Sequence, residues 1–350
     1  MSRYKINRRF LWFALCASLL LSGCGGGNVA ETETPVPAAS QPTAQTTSPQ
    51  AQPTSPPAAQ APALPASAIA SAASFAGTRS NTPELHIPEV PGEAVLGGAP
   101  LEIDVSNLSQ GYVMARYTGG AAKASVRITG PDGITYKYFL KFSEEYKTLP
   151  LTGGSGDYAV EAYENVQDNQ YAVLYKETVQ VELEDELLPF LYPNVYVEFT
   201  EDSDAVAKAR EIVAPAMDDL EAVALIYHFV VENIDYDTQK AETVTTGYLP
   251  VVDETLRTGK GICFDYAALT ATMLRSQNIP TKLEIGYAGE IYHSWISVYT
   301  EDTGWIDHAI EFTGDAWTRM DPTFAAGNDN STAILQYIGD GSHYTLQYSH

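Results

Sequence analysis

The chain is 350 residues long and sets 44 acidic side chains against 20 basic ones, a formal net charge of −24. That balance argues against nucleic acid and against an anionic lipid surface as partners, because both need clustered Lys and Arg. Three cysteines and no C-x-x-C, H-E-x-x-H or Walker pattern leave no sign of a disulfide scaffold, a zinc site or a nucleotide-binding loop.

Arg3, Lys5, Arg8 and Arg9 precede an apolar run over 10–21, which closes on Leu21-Ser22-Gly23-Cys24. A basic start, a short apolar core and small residues at the end predict a signal peptide over 1–24. The run is too short for an ordinary spanning helix. Its ending in Cys resembles a bacterial lipobox, which implies lipidation of Cys24 and a mature chain held on the extracytoplasmic face of the cell membrane. The other reading is an uncleaved N-terminal anchor, and either one exports the body. Without the leader's four basic residues the net charge is −28, so anchoring falls to the lipid. Cys16 leaves with the leader and Cys24 is acylated, so Cys263 is the remaining thiol. A free thiol in an oxidising compartment is a liability unless its reactivity is used. The blander reading is a small buried hydrophobe.

Residues 25–96 are assigned to a tether. To about residue 80 they are Ala, Pro, Thr, Ser and Gln with almost no large apolar side chain, too little to build a core. Such a tether would carry the body across part of a cell wall, and wall association is expected. Residues 97–186 change texture. Alternating runs over 101–105, 111–117, 124–129, 136–142, 158–163 and 171–183 are broken by turn signals such as Pro131-Asp132-Gly133. That spacing predicts an all-β, sandwich-like domain of about 90 residues. Its tyrosines suit strand packing, with polymer binding as the alternative.

From Asp202 the period becomes helical, and 187–350 is assigned to a second domain. Leu220, Val223, Ala224, Tyr227, Val230, Val231 and Ile234 trace one helix face behind Asp218 and Asp219 at the N-cap. His228 within this helix reads as structural. Residues 235–256 read as a polar connecting loop and a cleft wall, with Tyr248 a weak candidate for substrate contact. Gly259-Lys260-Gly261-Ile262-Cys263 then leads into Phe264, Ala267, Ala268, Ala271 and Leu274, again one helix face, stopped at Pro280. Cys263 therefore stands at a helix N-terminus, where orphan N–H groups and the dipole favour thiolate. Strands follow over 281–287 and 292–300, the second with His293 and Trp295 on one face and Ile296 and Val298 on the other. A further extended run over 316–323 shares Trp317, Arg319 and Asp321 on one face. A nucleophile, a base and an orienting acid are thus available in that order.

The segments Gly261-Ile262-Cys263-Phe264-Asp265-Tyr266-Ala267, Leu274 to Pro280, Gly286-Tyr287, His293-Ser294-Trp295 and Asp321-Pro322-Thr323 resemble the transglutaminase-like family across roughly 220–324. The resemblance implies an α+β, papain-like fold with a Cys-His-Asp triad, carried by Cys263, His293 and Asp321. One departure is an inserted hairpin-like piece over 304–317, in which Asp307 also follows a Gly-Trp pair. Asp321 is preferred because it alone precedes Pro-Thr. Trp295 and Trp317 join Tyr248 as weak substrate-binding candidates. No cofactor is expected, and no metal, since the acidic pairs lack the spacing and Gly of a calcium loop.

The reading is an exported thiol acyl-transfer enzyme acting on protein or peptide amides through a thioester. An amine resolving the thioester gives cross-linking, and water gives deamidation or hydrolysis. The backbone N–H of Cys263 is a natural oxyanion donor. The alternative is a non-catalytic cell-surface binding or scaffold lipoprotein with the same fold.

Overall fold

The change of period near residue 202 is a change of architecture. A computed structural model describes residues 79–288, 290–311 and 344–350. The leader with Cys24, most of the tether, and Trp317 and Asp321 lie outside the described residues.

The first half is β1 (Val95–Gly98), β2 (Leu101–Asp104), β3 (Tyr112–Tyr117), β4 (Ala124–Thr129), β5 (Thr135–Leu140), β6 (Lys147–Pro150), β7 (Gly156–Gln167) and β8 (Gln170–Val181). They form two antiparallel sheets, ordered β1-β2-β3-β6 and β5-β4-β7-β8. Period-two alternation turns Ile103, Val113, Ala115 and Leu149 of one sheet into the same buried cluster as Val126, Ile128, Tyr138 and Val160 of the other. Sequence alternation locates six of these strands and misses β1 and β6. β6 is four residues long and ends in Pro150, a composition that argues against a strand. β1 falls in the segment read as tether.

That tether was drawn too far. From Arg79 onward the chain is pinned to the second half. Arg79 Nε donates to Asp219 Oδ1 at 2.8 Å, and its Nη2 donates to the Gln277 carbonyl at 2.6 Å. Asn81 Nδ2 donates to the Arg210 carbonyl at 3.0 Å. Polar composition withholds a core but does not prevent specific bonds to a core built elsewhere.

The second half runs α1 (Asp204–Ile212), α2 (Asp219–Asn233), β9 (Asp235–Tyr236), α3 (Thr238–Thr243), α4 (Val252–Thr258), β10 (Lys260–Gly261), α5 (Cys263–Arg275), β11 (Thr281–Ala288), β12 (Ile291–Thr300), β13 (Gly304–Glu311) and β14 (Tyr344–Ser349). The last four make an antiparallel sheet ordered β13-β12-β11-β14. Asp218 caps α2 as expected, its carboxylate accepting the Glu221 N–H at 2.8 Å. The stretch 235–256 is not the plain loop its polarity suggests. It holds β9, α3 and α4, and α4 closes on Gly259 in the left-handed region at φ 63°.

α5 is the centre. Its expected apolar face is buried, and so is the opposite face: every residue from Asp265 to Arg275 is inaccessible. A helix read as amphipathic is enclosed by β11 and β12 on one side and by α1, α2 and α4 on the other. The guanidinium of its C-terminal Arg275 donates to the carbonyls of Thr281 and Tyr192 and to a backbone oxygen of His350, the last residue of the sequence, at 2.7–3.0 Å. Burial pulls its pKa down to about 9, so it is still charged at neutral pH.

His350 joins the halves. It is 3% exposed, and its ring lies among Tyr136 and Tyr138 of β5, Tyr196 of the connecting segment and Tyr348 of β14, with ring centroids 4.1–6.3 Å away. Burial, then the charge of Arg275, pulls its pKa down from 6.5 to about 3. A folded-state pKa below the unfolded one gives stability that is complete above pH 6.5 and lost as pH falls towards 3. By pH 5 the loss attributable to this ring is about 2 kcal/mol. The variant His350→Phe is expected to lose about that much less stability than wild type between pH 7.5 and pH 5. Urea melts at the two pH values measure the difference, and parallel losses would show that the ring is not kept neutral by the fold.

Candidate active site

The turn before α5 is fixed by backbone on one side and by a carboxylate on the other. β10 pairs in parallel with β9, and the N–H groups of Asp235 and Asp237 donate to the carbonyls of Gly259 and Gly261 at 2.7 and 2.8 Å. Ile262 is the N-cap residue and is extended, at φ −97° and ψ 174°. Isoleucine has no side-chain acceptor, so only the carboxylate half of a capping box operates. Asp265 Oδ2 reaches back to accept the Ile262 N–H at 2.8 Å.

Asp265 is fully buried and has two further donors. Lys240 Nζ of α3 lies 2.7 Å from Oδ2, and the Tyr248 hydroxyl donates to Oδ1. Lys240 Nζ also donates to the Tyr248 oxygen at 2.6 Å and stands 4.5 Å above the centre of its ring. The Tyr248 ring meets Phe264 edge-on at 6.4 Å. Burial, then the bond to Asp265, pushes the Tyr248 phenol well up, so it is a hydroxyl donor throughout the physiological range.

Cys263 opens α5, and the residue as a whole is half-buried. Its sulfur turns inward against β12, and burial pushes the thiol up to about 11. The backbone N–H groups of Ser294 and Phe264 and the Ser294 hydroxyl pull the other way, while the charge of Asp265 adds to the rise. A helix N-terminus alone favours thiolate; here desolvation outweighs it, and the group at rest is a thiol.

β12 runs across the start of α5. Tyr292, Ile296 and Val298 face the helix core with Leu283 and Ile285 of β11, and Ser294 meets the sulfur on that face. His293 and Trp295 alternate to the other face. There the two rings stack at 6.4 Å and 27°, opposite Gly286 and Glu284 of β11. His293 is 7% exposed and Trp295 is fully buried. On the same face Ser297 Oγ donates to the buried carboxylate of Glu284 at 2.6 Å. The cysteine thus meets Ser294 of β12, the neighbour in sequence of the base candidate His293.

Residues 206–309 match the family model described as the transglutaminase-like superfamily. The chain carries a transglutaminase-like domain. Two remote likenesses among solved structures are to proteins provisionally named a cysteine protease from Cytophaga hutchinsonii and a protease from Parabacteroides distasonis ATCC 8503. The first is 15% identical with a TM-score of 0.36, covering 66% of this chain and 77% of that one. The second is 12% identical with a TM-score of 0.26, covering 59% and 62%. Likenesses so low carry no argument about chemistry. No curated protein matches the chain.

Within the transglutaminase-like domain, the residues singled out from sequence separate. Cys263 is at the helix start as expected. Trp295 is core, and the Tyr248 hydroxyl is engaged by Asp265, so neither offers the open contact expected of a substrate residue. Asp307 is exposed on β13, next to Ile306, which pairs with Val298. That leaves it about four residues, or roughly 13 Å, along the sheet from His293. Among the described residues no three His, Cys, Asp or Glu side chains gather as a metal site. Sequence reading passed over Lys240 and the carboxylate role of Asp265. A Glu or Asp three residues into a helix is a visible half-signal, but a lysine 25 residues upstream carries none.

The approach of Asp265 depends on Gly261. A Cβ at residue 261 would stand 2.6 Å from Asp265 Cβ. Gly261→Ala is therefore expected to push the carboxylate off the Ile262 N–H and to destabilise the domain by about 1–3 kcal/mol. Chemical denaturation gives the number, and a variant as stable as wild type would mean the capping bond is dispensable.

Proposed function

We propose that the chain is an exported, lipid-anchored thiol acyl-transfer enzyme acting on protein or peptide amides. The observation that carries the reading is the match over 206–309 to the transglutaminase-like model, with Cys263 opening the buried helix within it. In this mechanism the Cys263 sulfur attacks the amide carbonyl carbon and forms a C–S bond. His293 takes the thiol proton and returns it to the leaving nitrogen as the C–N bond breaks, which leaves a thioester and a free amine. Asp321 orients and stabilises the imidazolium. An amine or water then resolves the thioester and regenerates the thiol. Because the thiol is protonated at rest, proton removal accompanies attack, and the base must reach the sulfur. The backbone N–H of Cys263, freed at the helix start, serves the oxyanion.

Three further parts belong to the proposal. The two antiparallel sheets with their shared core act as a β-sandwich that spaces or presents substrate. Cys24 carries the lipid, and the tether between them crosses wall material on the extracytoplasmic face of the membrane. The alternative is a non-catalytic cell-surface scaffold with the same fold, so the test must separate chemistry from binding.

Incubation of the protein with a casein-like acceptor and a primary-amine probe, read by mass spectrometry, distinguishes amine incorporation, a deamidation shift and chain cleavage. Cys263→Ala is expected to remove whichever is seen, by several orders of magnitude. Asp321→Asn is expected to cost about 10³–10⁴-fold by analogy with serine-protease triads, and Asp307→Asn little. Turnover that survives Cys263→Ala would end the thiol mechanism, and the reverse ranking of the two aspartates would relocate the acid. For the anchor, Cys24→Ser is expected to move the protein from the membrane pellet to the soluble fraction; a variant that still pellets would assign anchoring to the apolar segment itself.

A further inference from the structure

A fully buried carboxylate two residues from a nucleophilic cysteine works against the nucleophile. Asp265 is needed where it is, since it accepts the Ile262 N–H and holds the turn that presents Cys263. Its negative charge nevertheless opposes formation of a second negative charge on the neighbouring sulfur. The arrangement is tolerable only if the carboxylate is compensated from a direction that leaves the thiol in place.

That compensation is present. Lys240 is anchored at the third residue after the α3 N-cap: Asp237 accepts its backbone N–H at 2.9 Å, and its ammonium is delivered to Asp265 Oδ2 at 2.7 Å. Tyr248, on the segment between α3 and α4, supplies the third donor to the same carboxylate and is itself held by Lys240. The ammonium is about one quarter exposed and the carboxylate is sealed, so the pair lies where charge interactions are much stronger than on the surface. Among the described residues, cations on the other elements around α5 are held elsewhere or exposed: Lys208 of α1 pairs with Glu211, Lys282 of β11 lies over the Trp305 ring, and Lys260 of β10 is exposed. On α4, Asp253 accepts the Ala205 N–H, and Glu254 and Arg257 pair with each other in solvent. β12 brings Tyr292 and Ser294 to the sulfur.

We propose that Lys240, steadied by Tyr248, is a positioning residue that neutralises the capping carboxylate of Asp265 and so keeps Cys263 able to ionise. The inference deepens the thiol-enzyme reading and rests on it. It also gives the 238–250 segment a purpose that polarity alone did not suggest: docked on Asp265 it supports the thiolate, and undocked it would silence it.

The test reads the thiol itself and needs no substrate. Full-length protein is alkylated with iodoacetamide at a series of pH values from 6 to 11, and the rate at the Cys263 peptide is followed by mass spectrometry, which separates it from Cys16 and Cys24. Lys240→Met is expected to label about tenfold more slowly than wild type at pH 8, with the midpoint raised by about one pH unit. Lys240→Arg should stay within about twofold of wild type, since a cation still reaches the carboxylate. Adding Asp265→Asn to Lys240→Met removes both charges and should return the midpoint towards the wild-type value. A purely structural lysine would lower the melting temperature and leave the midpoint in place, and that result overturns the inference. If Lys240→Met does not fold, Tyr248→Phe decides in its stead: about threefold slower labelling is expected, and an unmoved profile overturns the inference. A wild-type Cys263 that labels at no pH would instead remove the thiol-enzyme reading on which the inference stands.

Discussion

Burying a helix on every side removes water from both its ends, and the orphan N–H and C=O groups there must find partners inside the protein. α5 is such a helix, and the rest of the second half is arranged around that requirement. At its N-terminus Asp265 turns back on the Ile262 N–H, and at its C-terminus Arg275 spreads its guanidinium over the carbonyls of Thr281, Tyr192 and His350. Each device buries a charge. Asp265 has Lys240 against it, whereas Arg275 is satisfied by backbone oxygens drawn from β11, the connecting segment and the residue that follows β14. One arginine thus ties the helix to the sheet behind it and to the chain arriving from the first half. A lysine would serve poorly there, because a planar fork with five donors is what reaches three separate carbonyls.

The same burial sets the character of the nucleophile. Desolvation raises the thiol, and only backbone donors from Ser294 and Phe264 and the Ser294 hydroxyl resist it. Cys263 at rest is therefore protected rather than poised. A protonated thiol resists oxidation, which proceeds through the thiolate.

Aromatic packing joins the two halves, beside ion pairs such as Arg79–Asp219 and Lys147–Glu198. Tyr196 contributes to both buried clusters, and the ring of His350 sits among tyrosines drawn from each. Thr152 Oγ1 adds a direct bond to the Ser349 carbonyl at 2.8 Å. The arrangement also makes the docking sensitive to protonation of a single imidazole.

Much of this was legible in the order of residues. Alternation marked six of the strands in the first half, and the period of α2 and its Asp218 cap were read directly, because these features depend on neighbours within a few positions. Gly261-Ile262-Cys263 before an apolar run marked the start of α5, and the spaced motifs around it named the family of the domain. Other features depended on partners far along the chain. Arg79 and Asn81 look like tether until Asp219 and Arg210 are brought to them. β14 pairs with β11 across a separation of about sixty residues, and nothing local in 344–349 announces its partner. Tyr248 and Trp295 looked like surface aromatics, but enclosure made one a clamp on Asp265 and the other core. The thiol is the clearest case. Sequence placed Cys263 at a helix start and so predicted a depressed pKa, whereas the fold covered the sulfur with β12 and raised it. Position along the helix is a property of the sequence, but desolvation is a property of everything packed around it, and here the larger effect belonged to the tertiary structure.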